Sequence, residues 1–171
     1  MSTVLGAAIL RVLLGAAFAT HGTQKLFGWF GGYGLAGTGG FFESIGFRPG
    51  RLFAAAAGLG ELLGGLLTAF GFLGPVGPAL VLSVMLVATI AVHLKNGFFA
   101  QNNGYEMPFV YTVAALPYAL TGFGPFSLDA ALGVTLFGST TAIWSVLGAG
   151  VLGSIAALAT RRQTTQAQPA A

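Results

Sequence analysis

Four stretches of this chain, Val4 to Thr20, Leu52 to Leu73, Val76 to His93 and Ala142 to Ala159, run for about the length of a membrane span with at most one charged residue each. A helix rises 1.5 Å per residue, so about 20 apolar residues cross the ~30 Å hydrocarbon core of a bilayer. Only 6% of the 171 residues are charged and 55% are hydrophobic, where a soluble domain carries about 25% charge. The expected fold is therefore all-α: an integral membrane four-helix bundle with a fifth, C-terminal transmembrane helix. The first stretch lacks the positive segment that precedes the apolar core of a secretory signal. Ala17 and Ala19 mimic a cleavage site, but the stretch reads as a retained helix that continues toward Phe30.

The remaining span, Met107 to Thr121, is short. It carries Pro108, which suits a first turn, and Pro117, which should kink the helix. Gly74-Pro75 and Gly77-Pro78 predict a tight turn that makes the second and third helices antiparallel neighbours. Residues Gly31 to Gly50 read as a Gly-rich loop holding the patch Phe41-Phe42-Glu43. Lys95 to Glu106 reads as a polar loop and Phe123 to Thr141 as a mixed segment. Residues 1–141 would form the bundle, 142–160 an appended helix, and 161–171 a disordered tail.

Cytoplasmic loops carry the excess of Lys and Arg. Five spans bring Lys25, Arg48, Arg51, Lys95, Arg161 and Arg162 to one side, six of the seven positive residues. That predicts an outside N-terminus and a cytoplasmic C-terminus.

Several chemistries are excluded. Cys is absent, which removes disulfides, thiolate nucleophiles and thiolate metal sites. Any redox role must use a bound cofactor or a partner. The net charge of +3 forms no basic stripe, so nucleic acid is not an expected partner. There is no Walker loop, nucleophile elbow or HExxH.

Ionisable groups inside a membrane are costly and mark candidate sites. Arg11 and Glu61 each lie about 15 Å from a polar marker, His21 and Arg51 respectively, by helical rise. The expectation is a buried Arg11–Glu61 pair, either fixing helix register or serving a substrate or proton. Gly58, Gly60, Gly64 and Gly65 bracket Glu61, and small residues let backbones approach, so Glu61 should face a helix and not lipid. His21 and Lys25 share a face at i,i+4, and His93 ends the third helix on the same side. Two histidines with Glu106 could bind a metal, relay protons or hydrogen-bond a quinone head group. Haem ligation by the histidines has no other support. Lys25 and Lys95 read as interfacial anchors, and Phe27, Trp29, Phe30, Phe98, Phe99 and Trp144 as an aromatic belt. Asp129, with Ser127 nearby, reads as the cap of a short surface helix. No metal site is expected.

These motifs, taken in order, resemble the DoxX family of small bacterial membrane proteins. The matching pieces are Arg11 with Gly15 and Phe18, His21-Gly22-x-x-Lys25-Leu26-Phe27-Gly28, and Phe42-Glu43-x-x-Gly46-x-x-Pro49. Gly60-Glu61-x-x-Gly64-Gly65, His93-x-x-x-Gly97-Phe98, Glu106 and Gly124-Pro125-x-Ser127-x-Asp129 follow. The likeness covers about residues 5 to 132. It implies a four-helix core in a bacterial inner membrane, from which the segment after Ala142 departs as an appended helix. It also implies association with quinone-linked or thiol-handling oxidoreduction, and carries over Arg11, His21, Lys25, Glu61, His93 and Glu106 as polar positions.

The preferred expectation is a membrane subunit of an oxidoreductase system, interacting with quinone or a redox partner through the buried polar cluster and not active alone. The catalytic candidates are Arg11, Glu61, His21 and His93; the cofactor-binding candidates are His21, Lys25, His93 and Glu106. The alternative is a non-catalytic assembly subunit of a larger membrane complex. That reading rests on the Gly-lined helices and on the small-xxx-small spacings Ala149-x-x-x-Gly153 and Gly150-x-x-x-Ser154. A small-solute transporter ranks lower, because inverted repeats and paired broken helices are lacking.

Overall fold

The computed structural model describes residues 2–162, and among these every regular element is helical. Helices α1 (Ser2–Phe27), α3 (Gly50–Phe70), α4 (Val76–Ala88) and α7 (Thr140–Ala159) form the long members. α4 reaches that length only with the turns that continue it to Asn96; α2 (Gly34–Ser44), α5 (Glu106–Thr121) and α6 (Leu128–Leu132) complete the fold. Four segments are long and apolar enough to cross a membrane: Thr3–Phe27, Gly50–Phe70, Val76–Asn96 and Thr140–Ala159. The chain is a multi-pass membrane protein. The expected tail lies, beyond Arg162, outside the described residues.

Glycine sets how closely the helices pack. A Cβ at Gly15 would fall within 3.0 Å of Gly65 and Ala69, and one at Gly22 within 3.0 Å of Gly58 and Leu62. This rising and falling register makes α1 and α3 antiparallel with their backbones nearly touching. Gly60 and Gly64 use the other face of α3, where an added Cβ would meet Val84 and Leu80 of α4. Leu14 and Phe18 of α1, Val81 and Met85 of α4, and Ala115 and Tyr118 of α5 then fill the core. Leu5, Ile9 and Leu13, one turn apart on α1, remain on the outside, as lipid-facing residues should.

α5 has 16 residues, about 24 Å of rise, short of a full span. It continues through Pro117 and runs antiparallel to α4: Ala119 packs with Ala79 at one end, and His93 meets the loop residue Asn103 at the other.

α7 lies parallel to α4. Gly150 sits against Ala79, and one turn on, the Ser83 and Ser154 hydroxyls are 2.9 Å apart. The Gly150-x-x-x-Ser154 face, a candidate surface for another subunit, is therefore occupied within the same chain. Its far end is tied down where Arg161 Nε donates to Ile45 O at 2.7 Å and Arg162 N to Gly46 O at 2.9 Å. These contacts bring Arg48, Arg51, Arg161 and Arg162 to the end of the bundle that holds Lys25 and Lys95. Six of the seven positive residues thus gather at one end of the bundle.

One expected loop is a helix. Residues 34–44 form α2 despite four glycines, because α2 buries Thr38 and Gly39 against the start of α3, where Gly39 approaches Arg51. Packing outweighs the ~1 kcal/mol helix penalty of each glycine.

Candidate functional site

The expected Arg11–Glu61 pair does not exist. Gly22, and not the start of α1's polar end, lies opposite Gly58 and Leu62. In that register Arg11 falls level with Gly71, about ten residues, or roughly 15 Å, along α3 from Glu61. The error lay in equating the depths of His21 and Arg51: α1 continues a further turn and more beyond His21, to Phe27.

Arg11, 3% exposed, belongs to the opposite end. Its Nη1 and Nη2 donate to Phe123 O (3.2 Å) and Phe126 O (2.7 Å), and its guanidinium lies 5.5 Å from the Phe123 ring centroid. Two carbonyls freed by the α5–α6 loop are satisfied by one planar fork. Gly71, at φ 64°, leaves the space this fork needs. Nearby, Ser127 caps α6 by accepting from Ala130 N at 3.2 Å. Asp129 does not cap α6; it accepts the Leu73 and Gly74 amides at 2.9 and 2.7 Å. Arg11 and Asp129 thus tie α1, the α3–α4 turn and the α5–α6 loop together. This is a structural clasp.

Glu61, 2% exposed in the middle of α3, is paired with Lys25 Nζ from the last turn of α1. Lys25, expected as an anchor, reaches inward instead. The pair neutralises two charges that would each be costly alone. Only Oε1 is used: Oε2 is buried without a hydrogen-bond partner, although a carboxylate oxygen accepts up to two bonds.

Lys25 and Glu61 line a cleft of about 570 Å³ that His93 also lines. Such a volume lies in the range of small-molecule sites. Phe41 and Phe42 of α2, with Phe47 and Phe53, form one wall; α4 from Ser83 to Ala88 and the turn that follows it to Val92 form another, and Gly153, Ser154 and Ala157 of α7 a third. His93 ends a π-helical turn, Thr89–His93, of the kind that often marks functional positions in a helix. Its Nδ1 donates to Asn103 O at 2.8 Å, since a carbonyl can only accept. That leaves Nε2 as the ring atom for other chemistry.

The remaining candidates fall elsewhere. His21 lies outside the cleft lining, with Nε2 3.1 Å from Tyr111 OH on α5. Glu106 holds its own loop by accepting Ala100 N at 2.8 Å. Among the described residues no group of three or more His, Asp and Glu could hold a metal ion. The structure therefore places Lys25, Glu61 and His93 on one cleft, with Arg11 at the opposite end of the bundle, His21 level with Glu61 but turned to Tyr111, and Glu106 in its own loop. The α2 phenylalanines, Asn103 and Ser154 were missed as site residues. The Phe41-Phe42 pair and the Gly150-x-x-x-Ser154 spacing left sequence signals, though not as parts of one cleft; Asn103 left none.

The DoxX family model matches residues 6–94, from within α1 to just past His93. The chain belongs to the DoxX family. A second match, 32% identical over 125 residues, is the Bacillus subtilis (strain 168) protein named "Putative oxidoreductase CatD"; it covers 73% of this chain and 85% of that protein. No solved structure matches significantly. The DoxX match contains Lys25, Glu61 and His93 and excludes α7, so one cleft wall comes from outside the matched family region.

Proposed function

We propose that this DoxX-family protein is the membrane component of an oxidoreduction system and that the Lys25–Glu61–His93 cleft binds a quinone. The observation that carries the reading is the buried, unpartnered Oε2 of Glu61 in a cleft walled by aromatic rings. A buried acceptor left without a donor costs about 1–3 kcal/mol, and a hydroxyl-bearing ligand relieves that cost. The related protein's name supplies the word oxidoreductase.

The residues fit such a group. A quinone supplies the two-electron, two-proton chemistry that a chain without Cys lacks in its own side chains. Lys25 pairs with Glu61 Oε1, and the hydrogens of Nζ not given to Glu61 donate to a ring oxygen. Glu61 Oε2 accepts from a ring hydroxyl. His93, held by Asn103, presents Nε2 to take or return a proton. Phe42, Phe47 and Phe53 exclude water and pack a flat ring. Electrons come from a partner or substrate of the system.

The bundle end carrying Lys25, Arg48, Arg51, Lys95, Arg161 and Arg162 is assigned to the cytoplasmic side of a bacterial inner membrane by its positive charge. The cleft opens near that end. Of the two small-residue faces behind the assembly-subunit alternative, Gly150–Ser154 packs against α4, while Ala149–Gly153 stays exposed.

Titration of the purified protein in lipid nanodiscs with 2-methylnaphthalene-1,4-diol, the hydroxyl-bearing reduced form of a naphthoquinone kept under argon, followed by tryptophan and tyrosine fluorescence, tests the reading. Saturable quenching that weakens about tenfold or more in Glu61→Gln is expected. Absence of saturable binding to the wild-type protein overturns it.

A further inference from the structure

The third wall of the cleft is made by α7, which lies beyond the residues matched by the family model. This wall is held at two levels. Ser154, almost fully buried, has its hydroxyl 2.9 Å from that of Ser83, and 3.0 and 2.8 Å from the carbonyls of Ser83 and Gly150. Seven and eight residues on, Arg161 and Arg162 bond the carbonyls of Ile45 and Gly46, in the corner that joins α2 to α3. The helix thus bridges α4 and the α2–α3 corner, the two sides between which the cleft lies.

Three glycines in the last helix have different surroundings. Gly150 is packed: an added Cβ would sit 3.0 Å from Ala79 O. Gly148 and Gly153 are both open, with nothing within 4 Å of an added Cβ. Only Gly153 borders the cleft, together with Ala157 one turn on. Helix packing on α4 therefore does not require glycine at 153, and neither does backbone conformation, since its φ is helical. Glycine in a helix interior costs about 1 kcal/mol relative to alanine. A packing explanation is absent, whereas the space beside the residue is cleft.

We propose that Gly153 is a specificity-determining position of the cleft: its missing side chain leaves room for the body of the bound ring, and α7 sets the width of the ligand that can reach Glu61. The inference rests on the quinone reading of the cleft. A Cβ at 153 meets no protein atom within 4 Å at the border of a space of about 570 Å³, so ligand size is traded against side-chain volume there. Discrimination by a single methylene in an apolar pocket is about 10–200-fold.

The test uses the full chain in nanodiscs, with wild type, Gly153→Ala, Gly153→Leu and the control Gly148→Leu. Each is titrated under argon with 2-methylnaphthalene-1,4-diol and with the same reduced ring bearing one prenyl group, and each is melted thermally. Expected are stepwise weakening from Gly to Ala to Leu at 153, about tenfold or more for Leu and larger for the prenylated ring. Gly148→Leu should bind as wild type, and none of the three variants should melt below the wild type, since each replaces an open helical glycine by a better helix former. Equal binding by wild type and Gly153→Leu, with Glu61→Gln still impaired, overturns the role of Gly153 and leaves the quinone reading standing. No binding by the wild type overturns both. If Gly153→Leu melts early, Gly153→Ala decides: unchanged binding of both rings overturns the proposal.

Discussion

Lys25 Nζ, at the end of α1, pairs with Glu61 Oε1 in the middle of α3 and leaves Glu61 Oε2 buried and unpartnered. The two partners are unequally placed, since Lys25 is 30% exposed and Glu61 only 2%. That asymmetry makes the consequences of breaking the pair directional.

Lys25→Met strands a carboxylate among helices and should destabilise the protein by about 3 kcal/mol, the low end for a broken buried pair. Glu61→Gln leaves an ammonium that can turn toward the polar end of the bundle and should cost less. The double variant should recover most of the loss from Lys25→Met. Chemical unfolding in a fixed detergent checks the order; Glu61→Gln proving the more damaging single change would contradict it.

Arg11 separates stability from binding. Arg11→Met removes the donors to Phe123 O and Phe126 O and should destabilise by about 2–4 kcal/mol. Lysine should rescue only in part, because a single ammonium does not reproduce the planar fork. Quinone affinity per folded molecule should stay at the wild-type value, since Arg11 lies about 15 Å along the bundle from Glu61. Loss of affinity at unchanged melting temperature would place Arg11 in the site after all.

The close approach of α1 and α3 predicts a contrast between glycines on one helix. Gly22→Leu would drive a side chain into the backbone of Leu62 and Gly58 and should abolish the folded protein. Gly6→Leu meets nothing within 4 Å and should be tolerated. Yield of monodisperse protein after detergent extraction distinguishes them.

The absence of native Cys makes helix pairing easy to check. Ser83→Cys with Ser154→Cys replaces hydroxyls 2.9 Å apart by thiols within disulfide reach. Mild oxidation should give a cross-link within one chain, reversible by reductant and running as a monomer. A cross-linked dimer would mean that α7 packs on another copy.

Side assignment follows from single-cysteine labelling. Cysteines replacing Arg48, Lys95 and Arg161 should react with an impermeant maleimide from one face of sealed vesicles, and one replacing Thr135 from the other. Labelling of positions 48 and 161 from opposite faces would remove α7 as a traverse.

Much of the architecture could be read without coordinates, for local reasons. Hydrocarbon excludes any backbone that does not satisfy its own hydrogen bonds, so long uncharged runs have to be helices, and the Gly-Pro turn makes the middle two antiparallel. The pairwise glycines beside Glu61 said that it faces protein. Charge placement, counted along the chain, foretold which ends of the helices meet.

The site itself needed relative depths of helices, which no single segment encodes. A shift of α1 along α3 leaves the composition of both unchanged, yet it decides whether Glu61 meets Arg11 or Lys25. That register comes from glycine contacts between elements distant in the chain. The same holds for α2, helical only because α3 covers it, and for Gly153, whose open side is defined by its neighbours. Residue chemistry determined what the protein is made of; interhelical packing decided which of those groups share a cleft.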